Sequence, residues 1–172
     1  GVYIPQGKLT AANPYLEKAQ QLNPTHYVNS YDLAMVWFQT GNLPQARAQI
    51  RQIIGWKETA ELHSLLGDVE DKAGQLVAAA EEYQRAARMD ESENHLLDLG
   101  NSLIKINAFD AAVQIFDYSL KKYPRSAKLR VGLGIAYYSR GQYNEAIKQL
   151  GEASDLEPTD PRPYLFLGEM YG

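Results

Sequence analysis

Cysteine is absent from the 172 residues. That removes disulfides, a thiolate nucleophile and any cysteine-held metal, and leaves the redox compartment unread. No apolar run approaches the roughly 20 residues that span a bilayer, so a membrane partner is not expected. The opening GVYIPQGKLT lacks the basic and apolar blocks of a secretory leader. A basic excess is missing too, since 17 Lys and Arg against 21 Asp and Glu leave a formal net charge of -4. Phosphate binding needs a concentrated basic face, so nucleic acid is not expected either. What remains is 45% hydrophobic and 22% charged, which excludes a disordered or collagen-like chain and fits a soluble globular one.

The chain repeats itself. Leu33, Leu66, Leu99, Leu133 and Leu167 are spaced by 33, 33, 34 and 34 residues. Small residues follow each of them: Ala34, Gly67, Gly100, Gly134 and Gly168. Ala46, Ala79, Ala112 and Ala146 hold another column, and Gly41, Gly74 and Gly141 a third, whose missing place is filled by Asn107. Asn is the residue after Gly best suited to the left-handed turn conformation, so the backbone argument survives that substitution.

Each unit reads as helix, short turn, helix. Leu133, Gly134 and Tyr137 share one side of a first helix, which Arg140-Gly141 closes. Tyr143, Ala146, Leu150 and Ala153 form one stripe of a second helix, ended by Glu157-Pro158. Small residues at Gly134 and Ala146 let the two helices approach, while Tyr137, Tyr143 and Leu150 are expected to fill the gaps.

The order Leu-Gly-x-x-Tyr, Gly-x-Tyr-x-x-Ala, Pro resembles the tetratricopeptide repeat, with a period of about 34 residues. LGIAYYSRGQYNEAIKQLGEASDLEP carries the likeness most fully; LGDVEDKAGQLVAAAEEYQRAARMD, LGNSLIKINAFDAAVQIFDYSLKKYP and LAMVWFQTGNLPQARAQIRQII extend it over almost the whole chain. The resemblance implies an all-α, right-handed helical-repeat solenoid of antiparallel helix pairs, about ten helices in a single array. Its units are a half repeat at 1–26, whole repeats at 27–59, 60–92, 93–126 and 127–160, and a half repeat at 161–172. In the first half unit Leu9, Ala12, Leu16 and Ala19 make the stripe and Pro24 the stop. Tyr164, Leu167 and Tyr171 leave an apolar stripe open at the other end, as expected of a piece of a longer chain. Departures from the pattern are Trp37 and Glu70 in the Tyr column, and Ser30, His63 and Arg130 at a place often aromatic. With no partner visible for Glu70, Glu70→Tyr is expected to stabilise the chain or leave it unchanged.

Catalysis needs convergent groups with tuned proton affinities, and the inventory is poor. His26, His63 and His95 occur at similar points of successive units, without the i, i+4 spacing of a helical zinc pair. They read as histidines at helix starts. The glycines are spaced as caps and packing sites rather than as a phosphate loop. Asp90-Glu91-Ser92-Glu93 suits a helix start, and Lys121, Lys122, Arg125, Lys128 and Arg130 suit a helix end and a solvated turn. The expectation is a non-catalytic chain with no cofactor and no metal.

The resemblance implies a concave surface lined by first helices, which in the family holds an extended peptide or a partner helix. Helical geometry selects the side opposite the Leu-Gly-Tyr face. It carries Tyr31, Met35 and Phe38; Glu61, Asp68 and Asp71; Leu97, Asn101 and Lys105; and Lys128, Ile135 and Tyr138. Relatives that grip the acidic carboxyl-terminal tail of heat-shock chaperones use Lys, Arg and Asn there, and here only Asn101 matches. Residues 57–98 hold 11 acidic and 4 basic residues, a net of -7, so they account for all the negative charge. With the aromatic patch beside them, the expected partner is a protein or peptide with an apolar anchor and neighbouring basic residues. The competing readings are a structural module that self-associates through the open C-terminal helix, and an accessory domain of a larger enzyme.

Overall fold

The computed structural model describes residues 24–171. It comprises α1 (Pro24–Gln39), α2 (Leu43–Trp56), α3 (Ala60–Lys72), α4 (Leu76–Met89), α5 (Glu93–Lys105), α6 (Phe109–Lys122), α7 (Ala127–Ser139), α8 (Tyr143–Leu156) and α9 (Arg162–Tyr171). Among the described residues these nine helices are the only regular elements, and the chain is an all-α helical repeat. The stripe expected at Leu9, Ala12, Leu16 and Ala19 lies outside the described residues. Pro24 opens α1, where the first turn tolerates it because its missing N–H has no intrahelical partner; the helix it is expected to stop lies outside the described residues.

One turn recurs inside every pair. Gly41, Gly74, Asn107 and Gly141 all adopt positive φ, at 83°, 79°, 63° and 79°. The next residue then donates its N–H across the helix end: Asn42 to the Trp37 carbonyl, Gln75 to Glu70, Ala108 to Leu103 and Gln142 to Tyr137, at 2.8–2.9 Å. Such a bond satisfies a carbonyl left over at the helix terminus. The first helices α3, α5 and α7 start on hydroxyl caps. Thr59, Ser92 and Ser126 accept from the N–H groups of Leu62, His95 and Leu129 at 3.2, 3.2 and 3.1 Å.

Packing within a pair sets a large residue on a small one. Tyr83 lies over Gly67, Phe116 over Gly100 and Leu150 over Gly134, so close that an added Cβ would come within 2.4–2.7 Å of the partner. Packing between pairs places each Leu of the repeat column on the preceding second helix. Leu66 joins Ile50 and Ile53, Leu99 joins Tyr83 and Ala87, and Leu133 joins Val113 and Phe116. Leu33 is the exception, 42% exposed.

Three expectations need correction. Glu70 is buried, but it is not an unsatisfied stand-in for Tyr: Arg47 of α2 pairs with it through Nε. Glu70→Tyr would strand that guanidinium and is therefore destabilising. Tyr143 does not fill the interior of its pair; it is 52% exposed and packs edge-on against Tyr138. At the C-terminal end Leu167 is not open, since it packs on Val131, Leu150 and Ala153, whereas Tyr164 and Tyr171 are exposed. His63 and His95 sit at helix starts as expected, yet both are buried. Each ring nitrogen of His63 meets a carboxylate, Nδ1 with Glu82 at 2.7 Å and Nε2 with Glu58 at 2.6 Å.

Candidate functional site

Side chains on first helices that point away from the Leu-Gly side cannot enter the core, so successive first helices leave a groove between them. Along α3, α5, α7 and α9 that groove encloses about 420 Å³. Its apolar wall is made by Leu97, Ile104, Val131 and Ile135. Asp71, Asp98, Asn101 and Lys105 supply a polar side, with Lys128 and Arg162 towards α9 and Tyr83 reaching in from α4.

Acidity concentrates where α3 faces α5. Lys105 Nζ binds both oxygens of Asp71, at 2.8 and 2.9 Å, across one repeat. Tyr83 Oη donates to Asp68 at 2.6 Å. Burial, with the charge of Asp71, raises Asp68 above the usual carboxylate range despite that bond. Asp98 is lifted further, to about 6, first by burial and then by Asp68, against the neighbouring His95 imidazole and a hydrogen bond from Ser64. Among the described residues no Lys or Arg forms an ion pair with Asp98, and the groove cation Lys105 is held by Asp71. A half-buried carboxylate without a guanidinium or ammonium favours a cation brought by a ligand.

The groove gathers Asp71, Leu97, Asn101, Lys105, Lys128 and Ile135 of the sequence-selected residues. Asp68 stands behind it, bonded to the groove residue Tyr83. Tyr31, Met35 and Phe38 are half-buried against the core shared by α1, α2 and α3. Lys72 covers Phe38, its Nζ 5.0 Å from the ring centre and donating to the Phe38 carbonyl at 3.3 Å. Tyr31 and Glu61 instead border a separate hollow of 260 Å³ with Tyr27, Val28 and Thr59. Tyr138 turns aside into an aromatic cluster, 5.5 Å from Tyr143 and 5.9 Å from Phe166 between ring centres.

Asp98 and Tyr83, with Ser102 and Gly132, are groove residues that the helical-face argument misses. Asp98 carried a usable signal: the corresponding places one repeat away hold Leu65 and Gly132, both buried. Tyr83 stands in the column of Ile50, Phe116 and Leu150, and nothing in the sequence says that its hydroxyl reaches Asp68.

Two family models match, one described as tetratricopeptide repeat over residues 3–69 and one as TPR repeat over residues 134–172. No curated protein matches. Among solved structures, YrrB, a TPR protein with an unusual peptide-binding site, is 21% identical, with 92% of this chain and 82% of that chain covered and a TM-score of 0.72. A tetratricopeptide repeat protein from Parabacteroides merdae is 20% identical over 96% of this chain and 67% of its own, at a TM-score of 0.77. MamA from Desulfovibrio magneticus is 18% identical over 84% and 82%, at 0.74.

Proposed function

Because this chain belongs to the tetratricopeptide repeat family, whose members are typically non-catalytic interaction scaffolds, we propose that it binds a peptide or partner helix along the groove of its first helices. The ligand carries a Lys or Arg that meets Asp98, with Asp68 adding negative charge from behind, next to an apolar side chain laid on Leu97, Ile104, Val131 and Ile135. The observation that carries this reading is Asp98, a carboxylate lifted to about 6 beside an apolar wall, with no ion pair to Lys or Arg among the described residues. An arriving cation would relieve its repulsion with Asp68, so binding is salt-sensitive and modest in affinity.

A peptide array followed by fluorescence titration tests it. Peptides pairing Lys or Arg with Leu, Phe or Tyr should be selected. Their affinity should rise from pH 5 to pH 7 as Asp98 ionises, and fall several-fold in Asp98→Asn. Selection of acidic or purely apolar peptides, or indifference to Asp98→Asn and Asp68→Asn together, would sink the proposal. Self-association is the second reading, favoured by Tyr164, Leu165 and Tyr171, which are 51%, 67% and 73% exposed on α9. Sedimentation across a concentration range, with Leu165→Glu as the control, separates the two.

A further inference from the structure

We propose that Glu61, Asp90 and His95 form a site for a divalent transition-metal cation of the zinc class, at the joint between the second and third helix pairs. One ligand atom from each residue lies within 4.8 Å of the other two. Glu61 comes from the first turn of α3, Asp90 from the residue that follows α4, and His95 from the first turn of α5. Glu61 and His95 are 34 residues apart, about one repeat, so the stacking of the pairs brings them together and no local motif announces them.

His95 is the fixed member. It is only 8% exposed, and its Nδ1 lies 3.0 Å from the Asp90 carbonyl oxygen. A carbonyl only accepts, so Nδ1 carries the proton and Nε2 keeps the lone pair that a metal requires. Nε2 has no hydrogen-bond partner among the described residues. The two carboxylates are adjustable. Both are exposed; among the described residues Asp90 has only His95 Nδ1, at 3.6 Å, as an ionic partner, and Glu61 has none. Tetrahedral donors about 2.0–2.1 Å from zinc are about 3.3 Å from one another. To share an ion with Nε2, the exposed Asp90 side chain must swing from the Nδ1 edge of the ring, where it lies in the free chain, and Glu61 must rotate towards it, while the imidazole stays in place.

The donor set selects the ion. One imidazole and two carboxylates suit zinc or cobalt, with water completing the shell. Calcium requires six to eight oxygens, and magnesium an oxygen octahedron, neither of which the three residues approach. A bound ion would tie α3, the inter-pair loop and α5 together and discharge two carboxylates.

Calorimetric titration of the full chain with Zn²⁺ tests this directly. One equivalent should bind, and the affinity should fall at least about tenfold in Glu61→Gln and again in Asp90→Asn. Both positions are exposed, so the fold should persist, which circular dichroism checks. Zn²⁺ should raise the melting temperature of the parent and not of the double variant. Co²⁺ should give a visible d–d band that the double variant loses. Absence of saturable binding overturns the site. So does binding of equal affinity in both carboxylate variants, which would place the ion elsewhere, for instance at His63 with Glu58 and Glu82.

Discussion

Phe116 has two glycines against its ring rather than one. A Cβ on Gly100 of its own pair or on Gly132 of the next would come within 2.4 Å of the ring tip. The ring is fully buried, so it has nowhere to retreat. Gly100→Ala should therefore destabilise despite the helix propensity gained, by about 1–3 kcal/mol in a urea melt. Asp98 gives a prediction of the opposite sign. Its folded carboxyl titrates near 6, above the roughly 3.9 of an unfolded Asp. The folded state thus holds an extra proton between those values, and the contribution to stability falls as pH rises through that window. Asp98→Asn should melt higher than the parent at pH 7, and the gap should close below about pH 4. Equal melting temperatures at pH 7 would mean that Asp98 is better solvated than its surroundings indicate.

Elements repeat with little variation because the same chemistry starts and stops them. Second helices each span 14 residues, and the first helices α3, α5 and α7 each span 13. The left-handed turn column was legible in the sequence, including Asn107, since only Gly and Asn occupy it. So were the Leu and small-residue columns, because period and residue size are one-dimensional properties. Arg47–Glu70 was not legible, for its partners are 23 residues apart and follow no repeat spacing. Half of the selected groove residues went elsewhere for a related reason. Helical geometry fixes which side of α1 Phe38 occupies, but not that Lys72 lies across its ring. The Ser/Thr caps belong to the periodic part. Ser126→Ala should cost about 1 kcal/mol, and because Ser126 Oγ also donates to Glu93 at 2.6 Å, rather more than Thr59→Ala in parallel chemical melts.

At the scale of the whole molecule, cohesion passes from neighbour to neighbour. Leu133 bridges pairs by packing on Phe116 and Val113, and it is 2% exposed. Leu133→Ala should cost about 2–5 kcal/mol, with the loss concentrated in α7–α9. Hydrogen exchange should show those helices opening while α3 and α4 keep their protection. Uniform loss along the array would mean that the chain behaves as one cooperative block.

The turns inside the pairs are all three residues long, whereas the connections between pairs lengthen from three residues at 57–59 and 90–92 to four at 123–126 and five at 157–161. Three-residue turns are locked by a left-handed residue and a bond across the helix end, so they act as welds. The variable connections act as the hinges of a folding ruler. Pulled from its two ends, the chain should yield at those joints, shedding whole helix pairs in steps of nearly equal contour length.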